Sequence, residues 1–389
     1  MPSSKQAAAE TFAKWCGGEN PLLVAHAPGR VNLVGDHTDY NGGLVLPMIL
    51  DRSIYVALRP SSTGFHRLRS GNYREEISFS PGGWPQVPDA HWASYIAGMI
   101  QELPPPAPVE MLIIGDVPLG AGLSSSAALE MAAGLALEAL RGTPVDPLDL
   151  AQIGQRVEHQ YLNVQCGVMD QIVSRVGRAD HALFLDCNTL KLEHIPFRGK
   201  DAQFVIIDSR VKRKLADSKY NERRAECQSA LQRIQNMDAS IESLSQVERH
   251  HIFRLKEPVL QRRARHVLYE NERVRWACDA IINKDWFNLG QILTASHISL
   301  RDDYEVSCEE LDFLVATAEV HPEVYGARMM GGGFGGCTIN LVRSESAHSF
   351  AESVTGIYEK KYQRKAHAHV LGTGIEAGVQ WVDSNGAWA

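Results

Sequence analysis

The sequence lacks the features of a disulfide-stabilised, membrane-bound or nucleic-acid-binding protein. Its seven cysteines are scattered and odd in number and form no CxxC pair, which argues against a disulfide framework and a zinc site. No apolar run approaches the roughly 18 residues that a membrane helix needs, and the N-terminus has no apolar signal core. The net charge of −7 gives no reason to expect nucleic acid or an anionic membrane as a partner. We therefore expect a soluble, cytoplasmic protein.

The chain of 389 residues is long enough for two domains and a large core. Short apolar segments separated by turns predict a β-rich first half, whereas residues 215–320 have mostly helical periodicity. After a predicted strand at 338–342 the pattern alternates again, and a last strand is predicted at 379–382. We expect an α+β protein with two lobes, 1–200 and 201–389, in which the terminal strand could pack on either lobe.

One segment, 118–128 (PLGAGLSSSAA), joins a predicted strand at 109–115 to a predicted helix at 125–141 that stops at Gly142. Its two glycines let the backbone approach a ligand, and its serines lie where the helix begins. A helix N-terminus presents free N–H groups and the positive end of its dipole to an anion. No Lys follows the glycines and GxGxxG is not met, so this is neither a Walker loop nor a dinucleotide fingerprint. The segment predicts a phosphate-binding loop; a serine-rich helix cap is the alternative.

Two further glycine-bearing segments carry candidate chemistry. Residues 30–41 combine Arg, Asn, Asp, His and Tyr side chains on a loop, which suits hydrogen bonding to vicinal hydroxyls and predicts a sugar-binding or polyol-binding site. An ordinary Asx-rich turn is the alternative. Five glycines in six positions at 331–336 cost much chain entropy. They predict a backbone that passes very close to a ligand or to the phosphate loop.

These residues carry a family resemblance. Residues 27–41 (APGRVNLVGDHTDYN) resemble the galactokinase signature, and 118–128 and 330–337 resemble the second and third motifs of the GHMP kinase superfamily. Residues 166–171 (CGVMDQ) are similar to the galactokinase segment that carries the catalytic aspartate, and 299–308 (SLRDDYEVSC) is a further specific match. The resemblance implies the two-lobed GHMP kinase fold with the active site between the lobes. It also implies ATP-dependent phosphorylation of a galactose-type sugar at its anomeric oxygen, and we expect a monomer.

The resemblance further implies a role for each matching residue. Arg30 and Asp170 would be the catalytic pair, with Asp170 as general base and Arg30 stabilising the transferred phosphoryl group. Ser125 and Glu158 match ligands of Mg²⁺, as hard oxygen donors should. The matches to sugar contacts are Asp36, His37, Asp39, Gly167, Asp170 and Tyr220. The matches to ATP contacts are Trp92, Gly120, Gly122, Leu123, Ser124, Ser125 and Ser126.

One position departs from the family pattern. Galactokinases usually have Glu where this chain has Asp36, so the carboxylate is one methylene shorter. The exchange is either silent, with galactose as the substrate, or it alters tolerance at the exocyclic hydroxyl of the sugar and admits arabinose or a modified galactose. N-acetylgalactosamine stays open as well, because the sequence does not fix the room at C2. A non-catalytic sugar and ATP sensor is disfavoured because residues 124–128, Arg30 and Asp170 are all present.

Overall fold

The computed structural model describes residues 4–88, 91–118, 121–197, 200–211, 216–383 and 385–388. These residues form helices and strands in alternation, followed by a helix-rich region. The helices are α1 (Lys5–Trp15), α2 (Trp92–Glu102), α3 (Ser125–Arg141), α4 (Pro147–Tyr161), α5 (Met169–Val176), α6 (Ala216–Gln235), α7 (Arg249–Arg254), α8 (Pro258–Ile282), α9 (Trp286–Asp302), α10 (Glu309–Glu319) and α11 (Ala347–Tyr362). The strands are β1 (Leu23–Asn32), β2 (Leu44–Val45), β3 (Pro47–Pro60), β4 (His66–Ser70), β5 (Glu75–Phe79), β6 (Val109–Gly115), β7 (His181–Asp186), β8 (Leu192–Pro196), β9 (Ala202–Asp208), β10 (Val324–Met330), β11 (Cys337–Arg343), β12 (His367–Val370) and β13 (Gly378–Trp381).

Nine strands form the first sheet. Its main path runs β13-β1-β3-β6-β4-β5, and β7 joins β2 and β8 to β3. All pairs are antiparallel except β4 with β6. Helix α3 packs on β1 and β3, and its buried face is almost continuous from Ala127 to Leu137. This packing holds the start of α3 beside the end of β1, which is where the candidate site lies.

Four strands form the second sheet, in the order β10-β11-β9-β12, and its pairs are antiparallel. Helix α9 packs against β10, α10 against β10 and β11, and α11 against β9 and β12. The glycine-rich segment 331–336 connects β10 to β11. No helix in the described part of the chain combines the length and apolar character needed to cross a bilayer.

Local sequence signals predicted several elements closely. Helix α3 begins at Ser125 and ends at Arg141, and Gly142 adopts φ 66°, the left-handed conformation that ends helices without a side-chain clash. Asp146 caps α4 by accepting a hydrogen bond from the N–H of Leu148 at 2.8 Å. The strand predicted at 109–115 is β6.

Other elements differ from the sequence predictions. Residues 347–362, where alternation was expected, form helix α11, whose buried positions Phe350, Val354 and Tyr358 are spaced for one helix face. Strand β1 extends to Asn32, into the segment 30–41 that the sequence predicts to be a loop, because it stays paired with β3 across a β-bulge near Gly29. The terminal strand β13 pairs with β1 in the first sheet.

Candidate active site

A cavity of about 380 Å³ opens where the end of β1, the start of α3, the start of α5 and the loop after β10 meet. Most residues that the sequence predicts for sugar and phosphate binding lie in its wall. They are Arg30, Asp36, His37, Asp39, Gly122, Leu123, Ser124, Ser125, Ser126, Gly167, Asp170 and Tyr220. Trp92 lies in a second cavity, Glu158 lies behind the first one, and Gly120 is outside the described residues.

Arg30 and Asp170 form a bidentate ion pair in this wall. The Nε of Arg30 donates to Oδ1 of Asp170 at 2.7 Å, and Nη2 donates to Oδ2 at 2.6 Å. The third arm, Nη1, donates to the carbonyl oxygen of Gly122 at 2.7 Å. The hydroxyl of Ser124 also donates to Oδ2 of Asp170. A guanidinium held by three directed hydrogen bonds keeps a fixed orientation, so the site is organised without a ligand.

The described part of the loop before α3, residues 121–124, is held close to β1 and β11. The backbone N–H of Arg30 donates to the carbonyl oxygen of Leu123 at 3.1 Å, and a Cβ at Gly29 would come within 2.6 Å of that oxygen. Ser124 adopts φ 56° immediately before α3 begins. The thiol of Cys337, at the start of β11, donates to the carbonyl oxygen of Ala121 at 3.0 Å. The N-terminus of α3 therefore lies in the wall of the cavity, and a helix N-terminus is suited to bind an anion.

Asp36 is bound by the protein on both carboxylate oxygens. Oδ1 accepts a hydrogen bond from Nδ2 of Asn32 at 2.8 Å, and Oδ2 accepts from the N–H of Gly331 at 3.0 Å. Nη1 of Arg328 lies 2.8 Å from Oδ2. Arg328 is fully buried and also donates hydrogen bonds to the backbone carbonyl oxygens of Asn32 and Leu33, at the end of β1. Sequence reasoning missed Arg328, although a charged residue inside the otherwise apolar strand β10 was a usable signal.

The glycine-rich segment 331–336 passes close to the backbone of Val306 and Val211, whereas a close approach to a ligand or to the phosphate loop stays a prediction. Gly331, Gly332 and Gly333 line the cavity, and the N–H of Gly331 binds the carboxylate of Asp36. A Cβ at Gly333 would lie 2.2 Å from the carbonyl oxygen of Val306, at a φ of 77° that side chains rarely adopt. Only glycine fits this position.

Asp39 packs against Gly167, which lies at the end of the loop before α5. A Cβ at Gly167 would lie 1.9 Å from Oδ2 of Asp39, so the carboxylate occupies space that any side chain would fill. Burial raises the pKa of Asp39 to about 7, and the negative charge of Asp170 adds to this shift. Asp39 is therefore poised to gain or lose a proton near neutral pH.

His37 and Tyr220 form an aromatic wall of the cavity. Their ring centroids are 5.6 Å apart, and Tyr40 packs edge-on against both rings. Burial lowers the pKa of His37 to about 3, so its ring is neutral at physiological pH. A neutral imidazole beside aromatic rings and carboxylates suits recognition of a polyol, which needs both donors and acceptors.

A second cavity, of about 270 Å³, lies beside the first and shares Ser125 and Ser126 with it. Trp92 and Tyr95 line it together with aliphatic residues of β3, β6 and α3. The indole N–H of Trp92 donates to Glu75 at 2.8 Å, which fixes the ring. The two serines thus stand at the junction of a polar cavity and a mostly apolar one.

Three carboxyl groups, those of Glu158, Glu130 and Asp170, lie close to one another near this junction. Burial raises the pKa of Glu158, and the charge of Asp170 adds to the shift, while hydrogen bonds from Cys166 and Ser126 oppose it. Burial and the neighbouring Glu158 also raise the pKa of Glu130, whose Oε1 has no hydrogen-bond partner among the described residues. Excess negative charge and hard oxygen donors fit a divalent cation. No cluster of three or more His, Cys, Asp or Glu side chains in the described ranges could hold a metal alone.

Three family models match the chain in order. A model of the galactokinase galactose-binding signature matches residues 10–60, a GHMP kinase N-terminal domain model matches 93–178, and a GHMP kinase C-terminal model matches 277–360. The galactokinase of Chloroflexus aurantiacus is 40% identical over 372 residues, which cover 94% of this chain and 95% of that protein. The galactokinase of Staphylococcus carnosus is 39% identical over 369 residues, which cover 92% and 95%.

Solved structures support the same family and the same fold. A crystal structure of Lactococcus lactis galactokinase complexed with galactose superposes with a TM-score of 0.90 at 37% identity, over 96% of this chain and 98% of that chain. A D-glycero-D-manno-heptose 1-phosphate kinase from Bacteroides thetaiotaomicron shares the fold alone, with a TM-score of 0.63 at 13% identity over 93% of this chain and 100% of that chain. The chain belongs to the galactokinase family and has the GHMP kinase fold.

Proposed function

We propose that this chain transfers the γ-phosphoryl group of ATP to the anomeric oxygen of D-galactose and releases galactose 1-phosphate and ADP. The observation that carries this proposal is the Arg30–Asp170 pair at the junction of the sugar-binding motif and the phosphate loop. The family membership supports galactose over N-acetylgalactosamine or arabinose. The intact loop at 124–126 and the organised ion pair argue against a non-catalytic sensor.

Asp170 is the proposed general base. A carboxylate has about four lone-pair positions, and Arg30 and Ser124 occupy three of those on Asp170. One position is left to accept the proton of the anomeric hydroxyl. Arg30 is the proposed electrostatic partner, because its fixed guanidinium stabilises negative charge that develops on the transferred group. Phosphoryl transfer depends on such alignment and charge neutralisation more than on covalent help.

The two cavities suggest how the substrates are arranged. The sugar is assigned to the first cavity, against Asp36, His37, Asp39, Gly167 and Tyr220, whose carboxylate, imidazole and hydroxyl groups match a polyol. The adenine is assigned to the second cavity, beside Trp92, whose large ring surface suits a flat base. The phosphates then cross the junction at residues 122–126, over the N-terminus of α3.

Magnesium is the proposed counter-ion of the phosphates, with Ser125 and Glu158 as ligands. Mg²⁺ in nucleotide-dependent enzymes is usually held by one or two protein oxygens together with substrate phosphates and water. Ser126 is a second candidate hydroxyl, because its side chain hydrogen-bonds Glu158. When bound, the cation would neutralise negative charge on the β- and γ-phosphate oxygens.

The division into lobes, the oligomeric state and the cellular location are part of the same proposal. Two lobes, 1–200 and 201–389, each correspond to one sheet, and the terminal strand β13 crosses back to the first lobe. We propose that the enzyme is a monomer and acts in the cytoplasm, where ATP is available and cysteine thiols stay reduced.

The replacement Asp170→Ala tests the proposal. A general base contributes a factor of roughly 10² to 10⁴, so kcat should fall at least 100-fold while ATP still binds and the protein still unfolds cooperatively. Phosphorus NMR of the product identifies the phosphorylated oxygen. The exposed Asp302, replaced by Ala, is the control and should leave the rate unchanged. An unchanged rate in Asp170→Ala, or phosphate on another sugar oxygen, contradicts the proposal.

A further inference from the structure

Four side chains form a continuous series of polar contacts that leads away from the first cavity. Nδ1 of His37 lies 2.9 Å from the hydroxyl of Tyr40, which lies 2.8 Å from the hydroxyl of Tyr304. The hydroxyl of Tyr304 lies 2.9 Å from the thiol sulfur of Cys227. We call these four residues the histidine relay. It joins the segment 30–41, which contains His37 and Tyr40, to Cys227 in α6 and to Tyr304, which follows α9.

The inner half of the histidine relay is inaccessible to a ligand. Tyr304 has no exposed surface and Cys227 is 1% exposed, and neither lines the cavity. The ring of Tyr304 is fixed from two sides, by the ring of His266 at 4.4 Å and by the guanidinium of Arg263 at 5.9 Å. The hydroxyl of Tyr304 therefore faces Tyr40, while its ring packs directly on the ring of His37 at a centroid distance of 4.8 Å. The replacement Tyr304→Phe keeps the ring contact and removes only the hydroxyl contact.

His37 is the end of the relay that meets the cavity. It lines the cavity, it is 5% exposed, and its Nε2 has no hydrogen-bond partner among the described residues. Its backbone adopts φ 65°, a left-handed conformation that costs energy for any residue except glycine. A buried imidazole nitrogen without a partner is costly, and a ligand hydroxyl would satisfy it.

The hydrogen bonds of the histidine relay can run in either of two directions. The donor and acceptor strengths of its groups favour one of these directions. Because burial keeps His37 neutral, one ring nitrogen carries a proton and the other accepts a hydrogen bond. An imidazole nitrogen is the best acceptor in the series, whereas sulfur is a weak one and phenols donate well. The favoured order runs from Cys227 to Tyr304, from Tyr304 to Tyr40, and from the hydroxyl of Tyr40 to Nδ1 of His37. The proton of His37 is then on Nε2.

We propose that Tyr304 is a positioning residue which, through Tyr40, fixes His37 in the Nε2–H tautomer and so makes it a hydrogen-bond donor toward an oxygen of the sugar. This inference rests on the proposed function, which assigns the first cavity to the sugar. It goes beyond the sugar contact itself, because it states which partner of the hydrogen bond donates and which buried residues decide it. The sugar group opposite His37 must therefore offer a lone pair.

The replacement Tyr304→Phe removes the inner hydroxyl and keeps the ring. One lost hydrogen bond of about 1 to 1.4 kcal/mol corresponds to a change of roughly 5-fold to 10-fold. We expect the KM for galactose to rise by that factor, while kcat and the KM for ATP change less than 2-fold. The matched control is Tyr358→Phe, which removes a buried hydroxyl that donates to the carbonyl oxygen of Ser209 in the second sheet. It should leave all three constants unchanged.

Variants of Cys227 provide an independent test of the histidine relay if Tyr304→Phe does not fold. Cys227→Ser keeps a donor at the end of the relay and should retain a wild-type KM for galactose. Cys227→Ala removes the donor and should raise that KM about 2-fold to 5-fold. Cys278→Ala is the control for the loss of a buried thiol elsewhere in the core. Equal galactose KM values in the two Cys227 variants contradict the relay.

Nitrogen NMR reads the tautomer directly. In protein with ¹⁵N-labelled histidine, the His37 signals, assigned by their absence in His37→Gln, should show a protonated Nε2 and an accepting Nδ1. Tyr304→Phe should shift these signals toward a mixture of tautomers, whereas Tyr358→Phe should not. A protonated Nδ1 in the wild-type protein, or identical spectra for wild type and Tyr304→Phe, overturns the proposal. This measurement needs no turnover, so it stands apart from a failure of the proposed function, which a wild-type protein that forms no galactose 1-phosphate would reveal.

Discussion

Galactose binding should strengthen about 10-fold between pH 6 and pH 8, because the Asp39 carboxyl loses its proton in this range. Its pKa is raised to about 7, first by burial and then by the charge of Asp170. A carboxyl group with that pKa is about 10% ionised at pH 6 and about 90% ionised at pH 8. The ionised form accepts hydrogen bonds from sugar hydroxyls and the neutral form does so poorly. The dissociation constant should therefore fall as the pH rises through 7.

Isothermal titration calorimetry of galactose binding, repeated from pH 5.5 to pH 8.5, measures this dependence. The same experiment also measures the number of protons that are released when galactose binds. If bound galactose keeps Asp39 fully ionised, binding at pH 7 releases about 0.5 proton, which appears as a difference in heat between buffers of different ionisation enthalpy.

Two variants separate Asp39 from other titrating groups. Asp39→Asn cannot ionise, so its galactose affinity should be weak and nearly independent of pH. Asp170→Asn removes the neighbouring negative charge and should move the transition of Asp39 to lower pH, which calorimetry can detect although turnover is lost. A wild-type affinity that stays constant from pH 6 to pH 8, or an equal pH dependence in Asp39→Asn, refutes the reasoning.

Three further outcomes are expected. Asp36→Ala leaves the buried charge of Arg328 without its carboxylate, so urea unfolding should show a loss of about 3 to 5 kcal/mol; a loss below about 1 kcal/mol speaks against the pair. Gly167→Ala puts a Cβ into the space of the Asp39 carboxylate and should raise the galactose KM at least 10-fold, whereas Gly356→Ala, whose Cβ meets nothing within 4 Å, should not. Asp36→Glu should change the ratio of kcat/KM values among galactose, arabinose and fucose, because a longer carboxylate must leave its present partners or enter the cavity; equal ratios in both proteins indicate a silent exchange.

Local chemistry explains what the sequence predicted well. The helix from Ser125 to Arg141 was predictable because its composition, its serine-rich start and Gly142 are all local signals. The motifs also identified most of the cavity wall, since its residues come mainly from four short segments, 30–40, 122–126, 166–170 and 331–333. Helix α11 was missed although its buried positions repeat at helical spacing, so a count of that periodicity would have found it.

Long-range contacts explain what was missed. The bond between Ser124 and Asp170 spans 46 residues, and the contact between Tyr40 and Tyr304 spans 264 residues. Nothing near Tyr304 in the chain indicates that its hydroxyl faces the sugar motif, and nothing near Ser124 separates a contact to phosphate from a contact to Asp170. Such partners depend on how elements distant in the chain pack together, and that packing is not encoded in any single window of sequence.

Strand β13 supports the strand that carries Arg30. Residues Gly378 to Trp381 pair with His26 to Leu23, so β1 lies between two neighbours rather than at the edge of its sheet. A protein shortened before Gly378 would expose unpaired N–H and C=O groups along the strand that carries Arg30 four residues later, and exposed edges of this kind promote aggregation. For expression and crystallisation, an N-terminal affinity tag is therefore preferable to changes at the C-terminus.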